Sequence, residues 1–209
     1  NSDGFLDIYV SSVSGRYGLK GHNELYINNK NSSFTESSEK YGLNTSCATT
    51  QSAFFDYDRD GDLDCYILNQ SHHPHANIVD TSNRRRYDTL SGDRLYRNDV
   101  NVSGKFTDVS REAGIYQSNL GYGLGLALAD INNDGYPDIF TTDMLPGDEY
   151  RLKTTSSFDN YDVYQYKLKQ GFYHQLQQNA LQVNNRNGRF METAHFSGVS
   201  ATDWSWGAL

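Results

Sequence analysis

The sequence predicts an all-β chain: a partial β-propeller of about three four-stranded blades, with a short helical insertion in the last. Three observations predict it. An Asp-rich loop recurs three times. Each loop runs into a stretch that alternates with period two, the signature of a strand. Each stretch is followed by the same pair of landmarks, a Leu-led hairpin and a Phe that precedes a Gly by eight residues, and a fixed order of such marks means repeated units.

The second loop is the fullest: Asp56-Tyr57-Asp58-Arg59-Asp60-Gly61-Asp62-Leu63-Asp64, with a carboxylate at every second position. Like charges this close disfavour joint ionisation, and a hard cation relieves them. Calcium takes six to eight oxygens, which an Asp-x-Asp-x-Asp-Gly loop supplies by folding round it. Gly61 stands where the loop turns sharply. Asp130-Ile131-Asn132-Asn133-Asp134-Gly135-Tyr136-Pro137-Asp138 is the second match. Asn1-Ser2-Asp3-Gly4-Phe5-Leu6-Asp7 matches from the third position onward. Metal oxygens are assigned to positions one, three, five and nine and to the main-chain carbonyl at seven. That names Asn1, Asp3, Phe5 and Asp7; Asp56, Asp58, Asp60, Asp62 and Asp64; and Asp130, Asn132, Asp134, Tyr136 and Asp138. One calcium per loop is expected, three in all. An EF-hand is excluded, because position twelve is Val10, Ile67 or Thr141 rather than a bidentate Glu.

After the loops come Leu6, Ile8 and Val10, then Leu63, Cys65 and Ile67, then Pro137, Ile139 and Thr141, each set on one strand face. The hairpins begin Leu25-Tyr26-Ile27-Asn28, Leu95-Tyr96-Arg97-Asn98 and Leu181-Gln182-Val183-Asn184. Ser103-Gly104 and Asn187-Gly188 punctuate the later two. Phe34, Phe106 and Phe190 then precede Gly42, Gly114 and Gly198. Counted from loop to loop, the blades span 1–55, 56–129 and 130–209. They differ in the connection between calcium strand and hairpin, so insertions 69–94 and 143–180 fall on one face, where ligand or partner contacts are expected. A helix is expected over 161–169, capped by Asp159 and stopped by Gly171, with Tyr161, Tyr164 and Leu168 on one face. It reads as a helix packed on its blade before it reads as a ligand site.

The 209 residues carry net charge −8, and this acidity argues against nucleic-acid binding. No apolar run reaches the ~20 residues of a membrane helix. Three blades form an open arc with two raw sheet edges, so further blades or a partner chain are expected to cover them. Cys65 takes the place of Ile8 and Ile139 and reads as a small core residue. With Cys47 it reads as a free thiol in preference to a Cys47–Cys65 bridge. His72, His73 and His75 have spacing that suits zinc or copper, against the plainer reading of a surface or packing cluster. Arg84-Arg85-Arg86 reads as a solvated run. No nucleophile motif or phosphate loop is present.

With these motifs in hand, the whole chain resembles the FG-GAP/VCBS repeat family of calcium propellers, whose loop type also occurs in integrin α-subunit propellers. The stretches Ser91–Asn98, Gly171–Gln175 and Thr202–Trp206 resemble more narrowly the large bacterial VCBS proteins that end in an ASPIC/UnbV domain. The broader resemblance implies a seven-bladed ring, calcium, export and a role in binding or assembly. The narrower one implies an outer-membrane-associated surface lipoprotein. The expected function is a non-catalytic, calcium-stabilised binding or assembly scaffold, extracellular or at the cell surface. Its partner would be a protein or a surface glycan. Two alternatives stand beside it. One is a polysaccharide-active enzyme or glycan-binding module, with Tyr161, Tyr164, Tyr173, His174 and the His72–His75 cluster as its candidates. The other is an accessory subunit of an outer-membrane complex.

Overall fold

The computed structural model describes residues 3–15, 18–71, 90–115, 121–155 and 177–208, together with 162, 165, 166 and 169. Three antiparallel sheets follow one another along the chain. The first holds β1 (Ile8–Val10), β2 (Glu24–Asn28) and β3 (Phe34–Glu36). The second holds β4 (Thr49–Phe55), β5 (Asp64–Asn69), β6 (Arg94–Asp99) and β7 (Lys105–Asp108). The third holds β8 (Gly125–Ala129), β9 (Asp138–Thr142), β10 (Ala180–Asn184) and β11 (Phe190–Glu192). Within each sheet every strand pairs with its neighbour in sequence. This is the meander of a propeller blade, and the molecule is an all-β partial propeller.

The sheets do not coincide with units counted from loop to loop. At the second and third loops the strand ahead of the loop pairs with the strand behind it, Phe55 opposite Asp64 and Ala129 opposite Asp138. The second and third sheets therefore begin at Thr49 and Gly125, not at 56 and 130. The first sheet has three strands among the described residues.

Period two alone suggests one buried face per strand, but β5 is buried on both. Tyr66 and Leu68 join a cluster with Ile139 and Phe190 of the third sheet. Cys65 and Ile67 join another with Leu25 and Leu43 of the first. A sheet packed between two others has no solvent face. Full burial of a side chain such as Ile67 contributes about 1.5–3 kcal/mol. Among the described residues the first sheet has a neighbour on one side only, so Ile8 and Val10 are left exposed while Tyr9 packs against Phe54 edge to face. Cys47 and Cys65 are buried free thiols.

The Phe-to-Gly spacing encodes a one-turn cap. After β3 the chain makes α1 (Ser38–Tyr41), which ends in left-handed Gly42. Gly42 N–H donates to Glu39 and Leu43 N–H to Ser38. The same two bonds close the turns at Gly114 and Ile115 and at Gly198 and Val199. This is a Schellman closure, and it drops an apolar residue into the core. Leu43 and Ile115 are both buried. The turn also docks the next blade, because Phe190 N–H donates to Ala113 O at 2.7 Å.

The described residues also include the short helices α2 (Val100–Ser103) and α3 (Glu149–Thr155). Of the helix expected over 161–169, Asp162, Gln165, Tyr166 and Lys169 are described, and they are helical. Tyr161, Tyr164 and Leu168 lie outside the described residues, as do Tyr173, His174, the 72–75 histidines and Arg84–Arg86. Among the described residues no helix is long and apolar enough to cross a membrane.

Candidate metal centre

The second and third Asp-rich loops each join two paired strands, and all three loops are drawn tight by their own side chains. In the second loop Asp56 accepts N–H bonds from Asp60 and Gly61, both at 3.1 Å. Asp60 Oδ1 accepts from Asp62 N–H at 3.0 Å. The third loop repeats the pattern, with Asp130 accepting from Asp134 and Gly135 and Asp134 from Tyr136. Gly61 and Gly135 have φ of 94° and 89°, where a Cβ is strained. In the first loop Asp3 accepts from Phe5 N–H at 2.9 Å, across Gly4.

The ninth-position aspartate has a second task. Asp64 is fully buried, and its two oxygens accept from Asn98 N–H at 2.8 Å and Tyr57 N–H at 3.1 Å. Asp138, also fully buried, accepts from Asn184 N–H and Ile131 N–H. Asp7 accepts from Asn28 N–H. The group thus ties the loop to the hairpin strand as well as facing the loop centre.

The asparagine completes the bracket. Asn28, Asn98 and Asn184 each turn a side-chain amide to the position-eight carbonyl of Leu6, Leu63 and Pro137. Each Oδ1 then accepts from the N–H two residues on, at Lys30, Val100 and Arg186. The hairpin landmark ends in Asn for this reason. A matching bracket holds the far end, where Asn23, Asp93 and Asn179 accept from Ser12, Asn69 and Asp143 N–H. The motif is therefore six residues, Asn/Asp-x-Leu-x-x-Asn. Its repetition was the signal that could have found both ends.

Among the described residues one group of carboxylates converges closely enough to share a metal ion. Oxygens of Asp56, Asp58 and Asp64 all lie within 4.8 Å of one another. Asp58 Oδ1 and Asp62 Oδ1 are buried with no hydrogen-bond partner. A buried carboxylate oxygen without a donor is costly, and a cation at the centre of the group would satisfy Asp58. Burial raises Asp58 and Asp62, and the charge on Asp60 raises both further. Burial pushes Asp64 up to about 7, against the pull of the Asn98 and Tyr57 N–H groups. The set of hard oxygens, the convergence and the orphaned atom fit a calcium ion.

The other assigned residues are placed differently. Asp130, Asn132, Asp134 and Asp138 line the third loop, yet every one of their side-chain oxygens accepts a bond from the protein. The Tyr136 N–H and then Arg186 hold Asp134 below the usual carboxylate range. Asp3, lowered chiefly by the Phe5 N–H, pairs with Lys30. Asn1 lies outside the described residues.

Beside Asp58 a cleft of about 550 Å³ opens between the second and third sheets, lined in part by Arg97, Glu112, Arg186 and Arg189. Arg97 is fixed by a two-pronged bond to Asp99 at 2.9 and 3.0 Å. The cleft is at the loop end of the strands. Insertions 69–94 and 143–180 leave from the opposite end.

Residues 1–67 match the family model of the FG-GAP-like repeat. The match takes in the first loop and sheet, β4, the second loop and most of β5. No curated protein matches the chain.

Proposed function

We propose, with the FG-GAP-like repeat as premise, that the chain is a non-catalytic, calcium-stabilised propeller arc of an exported or cell-surface protein, serving as a binding or assembly scaffold. The observation that carries this reading is the buried, partnerless Asp58 oxygen inside the Asp56–Asp58–Asp64 group. Calcium supplies positive charge at the point where strands β4 and β5 meet. Asp64 and Asn98 carry its effect into the hairpin, since both belong to one bracket. The exposed Ile8 and Val10 support further blades of a seven-bladed ring, or a partner chain, against the first sheet. Partner contacts, with a protein or a surface glycan, are assigned to insertions 69–94 and 143–180. The narrower kinship, with ASPIC/UnbV-type VCBS proteins of a bacterial outer membrane, rests on the three stretches that resemble them. The full-length reading frame tests it directly.

Thermal unfolding with excess calcium and with chelator tests the role of the metal. A ligand at 100 times its Kd stabilises by about 2.7 kcal/mol, or roughly 5–11 °C in Tm for a chain of this size. Identical melting curves and identical protease resistance in the two conditions would sink the reading.

A further inference from the structure

The three loops share a frame but differ at the fifth position. In the first and third repeats a cation from the hairpin turn sits on the position-five aspartate. Lys30 Nζ lies 3.1 Å from Asp3 Oδ2, and Arg186 Nε lies 2.9 Å from Asp134 Oδ2. Both cations stand two residues beyond the clamping asparagine, at φ of 62° and 60°. In the second repeat the turn is replaced by helix α2, and Val100 takes the corresponding place, donating its N–H to Asn98. Asp60 has no ion-pair partner among the described residues.

The rest of each loop follows this difference. In the third loop every side-chain oxygen of Asp130, Asn132, Asp134 and Asp138 accepts a bond from the protein, with Arg186 donating to Asp134 Oδ2. The second keeps two buried oxygens without donors, on Asp58 and Asp62. It also places a carboxylate at position three, where the third loop has Asn132. Ligand charge count and site rigidity set calcium affinity in oxygen cages. A guanidinium or ammonium on a ligand oxygen both competes for it and repels the ion.

We propose that the loops are graded: the second takes calcium tightly, whereas Lys30 and Arg186 act in the first and third as built-in counter-cations that hold the loop closed and weaken calcium binding there. This rests on the calcium reading above. It makes the loop of one blade metal-dependent and leaves the other two folded when calcium falls.

Titration of the chelator-stripped chain with calcium alone, followed by calorimetry, tests it. The wild type is expected to show one tight site, with remaining sites at least about tenfold weaker. Asp60→Asn should remove the tight site. Arg186→Gln, at an exposed side chain, should tighten one weak site about tenfold, and Val100→Arg should weaken the tight one about tenfold. Equal affinity at all loops overturns the proposal, as does an Arg186→Gln titration superimposable on the wild type. No binding at any loop at millimolar calcium instead overturns the calcium reading itself.

Discussion

Replacing Asn184 by Ala isolates the bracket that joins loop, hairpin and neighbouring sheet. Asn184 is 2 % exposed. Its side-chain amide donates to Tyr57 O at 2.8 Å, from the third sheet to the second, and approaches Pro137 O at 3.4 Å. Its Oδ1 accepts from Arg186 N–H at 2.9 Å. Alanine removes all three contacts but keeps the main-chain N–H to Asp138. Each lost bond is worth about 1 kcal/mol net, and a buried acceptor left unsatisfied costs about 1–3 kcal/mol more. The expected destabilisation is about 3 kcal/mol, which lowers Tm by roughly 6–12 °C in a chain of this size. Asn28 donates to Leu6 O and accepts from Lys30 N–H near the surface, where water replaces both bonds, so Asn28→Ala should cost about 1 kcal/mol or less. Thermal and urea unfolding, followed by circular dichroism in excess calcium, would measure both variants. Equal losses in the two, or an Asn184→Ala loss under about 0.5 kcal/mol, would refute the reasoning.

Three further outcomes follow from the same geometry. Gly114 sits at φ 72° with a substituted Cβ 3.2 Å from Phe190 O, whereas Gly188 at φ 75° has open space around it. Gly114→Ala should therefore destabilise by about 1–3 kcal/mol and clearly more than Gly188→Ala; equal unfolding midpoints would contradict this. The Tyr66 hydroxyl donates to Asp93 at 2.9 Å and accepts from Gln182 at 3.0 Å, both buried. Tyr66→Phe removes one hydrogen bond from each of two buried polar groups and should cost about 2 kcal/mol by urea unfolding, a loss that a mere surface tyrosine would not show. Burial raises Asp64 and Asp93 to about 7 and Asp143 to about 6 in the ion-free protein. Groups raised in this way stabilise fully below their unfolded pKa near 4, and that stability is lost as pH climbs through 6–7. With chelator present, Tm should fall between pH 5 and pH 8, and excess calcium should shrink the fall because it binds the ionised form. A chelated Tm that rises over that window would count against the assignment.

The three loops were legible because their chemistry is local. Asp56 through Asp64 carries both the carboxylates and the glycine that lets them converge, and the period-two stretch beyond it reads as a strand. The capping turns were legible in part: the spacing from Phe106 to Gly114 was visible, but not that Gly114 abuts Phe190 of the next blade. The asparagines were seen as landmarks and missed as parts of the site. Their partners, Leu6, Leu63 and Pro137, lie 22 to 47 residues away. Lys30 and Arg186 were missed for the same reason, since pairing with Asp3 and Asp134 requires the hairpin to fold back over the loop.

By itself the sequence determined the repeat, the strand character and the set of oxygen donors, because each depends on residues a few positions apart. Tertiary structure alone decided which strand belongs to which sheet, that β5 is buried on both faces, and that, among the described residues, the buried carboxylate oxygens left unpaired belong to the second loop. Those outcomes depend on what each strand and loop meets across the fold. No local pattern encodes whether a distant turn will deliver an arginine or a valine to a given carboxylate.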